Sequence, residues 1–425
     1  MRQTDRGRKA LITNDAAMFL YGLSAVLIGP AMPGMIADFG LTHSGAGLIG
    51  SVQSAGGFVG AIAALWLADR YSRSAMMLVS FGLVGASLLA IGGAARYAML
   101  LAAFALSGFF VRLLDVMLNA HTGSLVHGDS GKGMSALHMF FSIGAFLGPV
   151  AARALMRAGL TWADVFLVVG ASYFAALALS ARWLREYVRT GRVAQVSGGA
   201  IAASPAPARA KAAHDSDASV TASGSPRLLI GVLGTILLFY AIHQIGVTAW
   251  LPYYLEAARG ADPDVASMGL SLYWIGIIAG RFLASRSARR LGASNILFAG
   301  VLAASVATGA AVLVTAPVLA GVLAAVAGVT SGATIPLAYS VGFTVAPTRT
   351  GAVTAVMSVI MLAGRLLGPW LIGAVADAST LPVAMMIPAV VLLAAGALAG
   401  AVVLLARRAG PEPAASARLG GPASR

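Results

Sequence analysis

An arginine, an aspartate and an asparagine stand in the stretch Gly-Phe-Phe-Val-Arg-Leu-Leu-Asp-Val-Met-Leu-Asn-Ala-His at residues 108–121, inside an apolar run long enough to cross a bilayer. Gly108, Arg112, Asp115, Asn119 and Thr122 follow one another at spacings of four, three, four and three, so a helix lines them along one face. A charge at mid-bilayer costs roughly 2.5–3.5 kcal/mol on insertion scales, which is why such residues face a watery cavity or one another. Two readings follow. In the first, Arg112 and Asp115 neutralise each other at i,i+3 as a structural pair. In the second, the stripe is a transport site: Asp115 carries a coupling proton, Arg112 modulates it, and Asn119 hydrogen-bonds a solute. Burial and a neighbouring arginine act on a carboxylate's proton affinity in opposite senses. A change in either during a transport cycle would load or release a proton.

Other polar residues fall at comparable depth. Arg365 lies near the middle of the eleventh apolar segment, with no acid inside that segment. It either bonds helix-end carbonyls or Asp115, or it takes a substrate anion with its bidentate fork. His243 and Gln244 lie near the middle of the seventh segment; an imidazole there either carries a proton or is simply hydrogen-bonded. Arg281 is about one and a half turns from the end of the eighth, where a long side chain snorkels, pairs with a loop or gates. Tyr21, Tyr240 and Trp274 are candidates to stack on a solute ring, or are packing residues, while Trp250 and Tyr254 suit an interfacial aromatic belt. Within the spans three arginines face Asp115 alone, which tilts the cavity positive and favours an anionic solute.

The elements that position these residues are transmembrane helices. Of 425 residues 59% are hydrophobic and 10% charged, against about 25% charged in soluble domains, and the mean hydropathy is +0.85. About twelve apolar segments are expected, near 12–37, 46–68, 74–94, 97–124, 133–157, 161–184, 228–256, 265–287, 293–314, 316–344, 351–376 and 382–406. The first is too long for a signal-peptide core of roughly 7–15 residues and reads as a retained span. The net charge of +14 is a topology signal rather than a nucleic-acid footprint: 22 of the 29 Lys and Arg fall in loops on the terminus-bearing side and four on the other. The positive-inside rule therefore puts both termini and the central loop in the cytoplasm of a bacterial inner membrane. With no cysteine, thiol nucleophiles, thiolate metal sites and disulfides are excluded. No Gly-x-x-x-x-Gly-Lys-[Ser/Thr] loop or His-Glu-x-x-His set appears, so a pump, an enzyme, a cofactor and a metal are all unexpected.

The chain divides into a six-span unit at 1–185, a Ser/Pro/Ala/Gly-rich cytoplasmic linker at 186–226, a second six-span unit at 227–409 and a tail at 410–425, linker and tail both expected to be disordered. The units repeat each other. Gly144-Ala-Phe-Leu-Gly148-Pro149 recurs as Gly364-Arg-Leu-Leu-Gly368-Pro369 at an offset of 220, and Asp69-Arg70-Tyr-Ser-Arg73 as Ser285-Arg286-Ser-Ala-Arg289 at an offset of 216. Two motifs at nearly one offset indicate homologous halves, the arrangement in which transporters bind solute near the midplane. The prolines at 30, 33, 149 and 369 free backbone carbonyls and allow kinks.

With these residues the chain resembles the major facilitator superfamily. Leu65-Trp-Leu-Ala-Asp69-Arg70-Tyr-Ser72-Arg73 is similar to its signature between spans two and three, which keeps the Asp and both Arg but has Leu65 and Ser72 where the pattern has glycine. Trp250-Leu-Pro-Tyr-Tyr254, Tyr273-Trp274-x-Gly276-x-x-x-Gly280-Arg281 and the Asp115/Asn119 pair resemble the fucose-permease-like branch and its bacterial relatives. The resemblance implies an all-α membrane protein of twelve helices in two bundles. It also implies secondary active transport by alternating access, with Asp69, Arg70, Arg73, Arg281, Gly148, Pro149, Gly368 and Pro369 in gating. Two cavity acids usual in the branch are absent: the span-one position is about Gly29 and the span-seven position is Gln244. Fucose specificity is therefore not implied. The expectation is a monomer in the lipid bilayer moving protons and a small polar solute, a sugar or organic anion, with drug or metabolite efflux by antiport as the alternative and a non-transporting receptor as a third reading.

Overall fold

Apolar residues spaced for helices, interrupted by glycine and proline at the turns, fold as an all-helical chain in the computed structural model, which describes residues 2–68, 70–125, 130–190 and 226–408. The first span is α1 (Arg2–Ala25) followed by α2 (Ile28–Phe39), bent by 43° at the break. Pro30 explains the position of that bend: a proline cannot donate to the carbonyl four residues earlier, here that of Val26. Five helices complete the first half: α3 (His43–Ala68), α4 (Arg73–Gly92), α5 (Tyr97–Leu125), α6 (Ser130–Arg157) and α7 (Trp162–Thr190). The second half holds α8 (Pro226–Arg259), α9 (Pro263–Leu291), α10 (Ala293–Leu313), and α11 (Pro317–Ser331) with α12 (Thr334–Val345) as one broken span. It ends with α13 (Thr350–Ala378), a single turn α14 (Leu381–Ala384) and α15 (Ile387–Arg408). Among the described residues, eleven helices long and apolar enough to cross a membrane and the bent pair make twelve. Helix α7 continues to Thr190, five residues past the 1–185 boundary read from composition, because Arg185-Glu-Tyr-Val-Arg-Thr contains no helix breaker. The expected linker from 191 to 225 and the tail at 410–425 lie outside the described residues.

The two halves pack alike. Helices α3 and α5, α1 and α6, and α4 and α7 pair in the first half; α9 and α11, α8 and α13, and α10 and α15 are their counterparts. The repeated Gly-x-x-x-Gly-Pro motif does the same job in each. A methyl group on Gly144 would collide with the Phe19 carbonyl oxygen of α1, and one on Gly364 with the Leu238 carbonyl oxygen of α8. Glycine is required because the backbones touch. Gly144→Val or Gly364→Val should cost about 1–3 kcal/mol by overpacking, seen as a lower melting temperature of the purified protein in detergent.

The halves meet mainly through α3 with α13, α6 with α9, and α2 with α8. Their shared apolar core lies away from the terminal side, at the far ends of the second-half helices: Val247, Trp250, Leu255, Leu270, Ile372 and Ala376 join residues of the first half. Leu237, Ala284, Leu297, Val341 and Met357 form a separate cluster within the second half.

Candidate functional site

Side chains on five spans converge between the halves. On α5, Arg112 Nη1 donates to Asp115 Oδ2 at 2.9 Å, and the pair remains wetted, with side-chain exposures of 34% and 18%. One turn on, Asn119 Nδ2 donates to the Asp115 carbonyl at 2.7 Å and to its Oδ1 at 3.1 Å. Asn119 Oδ1 is buried without a partner, an acceptor left for a solute hydroxyl or amine. The i,i+3 and i,i+4 spacing read from sequence thus appears as one hydrogen-bonded stripe.

Arg365 of α13 lies within electrostatic reach of Arg112, Asp115, Tyr21 and Tyr240. It is half-buried, and among the described residues it makes neither an ion pair nor a hydrogen bond. Asp115 is already held by Arg112 and Asn119, so the pairing of Arg365 with Asp115 does not form. Tyr21 of α1 interacts electrostatically with both arginines and Asp115. Tyr339 of α12 reaches Arg112 and exchanges a hydrogen bond of 2.7 Å with Ser358 of α13. Tyr339 and Ser358 escaped the sequence reading; a tyrosine and a serine in apolar spans carry no charge to mark them. His138 of α6 is exposed and reaches both Asp115 and Arg281.

The seventh-span candidates sit differently. His243 is 0% and Gln244 6% exposed, beside the equally buried Tyr240 and Tyr273 and the 92%-buried Trp274. Neither ring nitrogen of His243 forms a hydrogen bond of ordinary geometry, though the Pro388 backbone faces it. The Tyr240 hydroxyl and Trp274 Nε1 are likewise orphaned. Tyr273 Oη makes no ordinary hydrogen bond either; the nearby Ser331 hydroxyl donates at 2.7 Å to the Ala327 carbonyl instead. Each such atom costs about 1–3 kcal/mol when left unpaired, an unusual concentration for one corner of a protein.

Two residues sit elsewhere than their positions suggested, and the gating candidates have the contacts given after them. Trp250 and Tyr254 are no interfacial belt: both are essentially fully buried, donating to the Pro369 carbonyl at 3.0 Å and the Val312 carbonyl at 2.7 Å. Their polar tips find backbone carbonyls, that of Val312 in the last turn of α10 and that of Pro369 inside α13, which lets the rings go inside. Arg281 Nε donates to the Gly332 carbonyl at 3.2 Å, where the break between α11 and α12 exposes it. Gly148 packs on Leu23 of α1 and on Val26 just beyond it, and Gly368 on Ile242 of α8, contacts within a half. Pro369, by contrast, meets Gly47 of the opposite half. In the loop signature, Asp69 and the side chain of Arg73 lie outside the described residues; Arg70 stacks over Trp66 at 3.8 Å, and Arg286 over Phe282 at 3.6 Å at the repeat-related position. Ser72, standing where the pattern has glycine, caps α4 by accepting from Ala75 N.

Two polar latches close the far side. Asp377 of α13 accepts from the backbone nitrogens of His43 and Ser44, each at 2.8 Å, and pairs with His43 Nδ1 at 2.9 Å, so it caps a helix of the other half. Asp264 of α9 pairs with Arg153 at 2.6 Å and Arg157 at 3.0 Å, at the end of α6. Removing both carboxylates, Asp264→Asn with Asp377→Ala, should weaken closure by about 1–2 kcal/mol, since exposed pairs contribute little and a cap about 1. Because the chain has no cysteine, Met35→Cys, fully buried in α2, gives a clean reporter. Its labelling from the far side should rise severalfold in the double variant.

The Major Facilitator Superfamily profile matches residues 16–361 and, in a second segment, 260–424. The chain belongs to that superfamily. It is therefore a multi-pass membrane transporter acting on small solutes, and not an enzyme. An uncharacterized major facilitator-type transporter of Yersinia pestis is 23% identical over 393 residues, 92% of this chain and 95% of that one. A bacterial homolog of the human lysosomal transporter Spinster shares the fold: its inward-facing, unoccupied form superposes with a TM-score of 0.72 at 16% identity, covering 96% of this chain and 99% of the other. Its inward-facing, occupied form gives 0.68 at 16% identity, over 94% and 96%.

Proposed function

We propose that this transporter carries a small organic anion across the bacterial inner membrane by alternating access, coupled to protons at Asp115, as a monomer with both chain ends in the cytoplasm. The observation that carries the reading is the half-buried Arg365, without a partner among the described residues and within electrostatic reach of the Arg112–Asp115 pair. A guanidinium without a counter-ion at mid-bilayer is costly unless something anionic visits it, and its planar fork matches a carboxylate. Asp115 supplies the proton site, because among the described residues its one cationic bond is to a neighbouring arginine that a second anion can draw away. Proton uptake there offsets the charge of the arriving solute. His243, buried and away from open water, is the second candidate for the proton.

Flux of labelled organic acids into proteoliposomes, with and without a pH gradient, tests this. Anion accumulation that follows the gradient and vanishes when it is collapsed is the expected result; accumulation indifferent to pH removes proton coupling. Orientation has its own check. The basic residues cluster in loops on the terminal side, so a reporter active only outside the cytoplasm should stay silent when inserted at Ala208. Activity at that site would reverse the orientation.

A further inference from the structure

Six rings run without a break through the cluster between the halves. Tyr21 meets Phe141 edge-on at 4.9 Å between centroids, Phe141 meets Trp274 at 6.1 Å, and Trp274 meets Tyr273 at 6.2 Å. Tyr273 continues to His243 at 6.0 Å and His243 to Tyr240 at 6.3 Å. The series starts in the first half and ends in the second, crossing at Phe141 and Trp274, where α6 packs on α9. Both of its ends, Tyr21 and Tyr240, lie within electrostatic reach of the unpartnered Arg365. The two ends of the series thus lie near the same unpartnered arginine. Trp274, Tyr273, His243 and Tyr240 also carry the orphaned polar atoms, which a purely structural aromatic core would have paired or done without.

We infer that the solute carries its acid on a planar, hydrogen-bonding ring: a hydroxylated aromatic or heteroaromatic carboxylate, with its carboxylate on Arg365, its ring on the Phe141–Trp274 wall and its ring substituent toward Tyr240 and His243. This rests on Arg365 as the anion site. An aliphatic acid would satisfy the arginine but leave the ring wall and the orphaned atoms unused. A neutral sugar would leave the arginine bare. A ring acid uses both, and by touching Trp274 and Phe141 together it bridges the two halves across which alternating access must occur.

The test uses the full chain in nanodiscs, with 4-hydroxybenzoate, benzoate, cyclohexanecarboxylate and acetate as probes and affinity read by ligand-induced thermal shift. Benzoate should bind up to about tenfold more tightly than cyclohexanecarboxylate, the scale of one good ring contact, and 4-hydroxybenzoate more tightly still. Phe141→Leu and Trp274→Leu should erase the preference for the planar ring; if one fails to fold, the other, on the opposite half, gives the same reading. Tyr240→Phe should weaken 4-hydroxybenzoate while leaving benzoate unchanged. If cyclohexanecarboxylate binds as well as benzoate and both are lost in Arg365→Ala, the ring inference fails and the anion site stands. If no acid binds, or Arg365→Ala changes nothing, both fail.

Discussion

Asp115→Asn should abolish pH-driven accumulation of the solute while leaving solute-for-solute exchange across the membrane intact. Asparagine keeps the shape of the carboxylic acid and its hydrogen bonds, so it mimics the protonated state permanently. In the parent, Asp115 is held by Arg112 at 2.9 Å and by Asn119, with Tyr21, His138 and Arg365 as its further polar surroundings. In the proposed cycle an arriving anion draws Arg112 away from Asp115, and departure of the anion returns it. Without a titrating group the conformational cycle continues but no longer carries protons, so counterflow at equal pH persists and uphill uptake falls to background. Accumulation equal to the parent under the same gradient would move the proton to His243. Asn119→Ala, which removes hydrogen bonds without removing a titrating group, should weaken binding and leave the coupling intact.

Arg365→Ala should lower affinity for an anionic solute by roughly 10- to 150-fold, the equivalent of losing hydrogen bonds to a charged group at about 1.5–3 kcal/mol. Arg365→Lys should fall between, because an ammonium keeps the charge but not the bidentate fork. Folding is not expected to suffer, since Arg365 has no partner among the described residues to leave unsatisfied. Relieving an unpaired charge at depth should, if anything, raise the melting temperature of the empty protein. Lower affinity with equal or higher stability would distinguish an anion site from a structural arginine. Unchanged affinity in both variants would return Arg365 to a structural role.

The chain's class, its span count and its repeat were all legible in one dimension. Hydropathy depends on composition over some twenty residues, and the recurrence of Gly144–Pro149 at Gly364–Pro369 needs only counting. The Arg112–Asp115–Asn119 stripe was legible too, because a helix imposes its own neighbours at three and four residues. What the sequence determined, then, is everything governed by local spacing and by the bilayer's demand for apolar helices. What lies across helices was decided by tertiary packing alone. That Arg365 stands beside Asp115 yet unbonded to it, 250 positions away in the chain, depends on how two bundles dock. So does the capping of α3 by Asp377 and the capture of Arg153 and Arg157 by Asp264. Trp250 and Tyr254 depend on packing for the same reason: an aromatic near a span's end suits a lipid interface or a buried backbone carbonyl equally, and only the neighbouring backbone at Pro369 and Val312 selects between them.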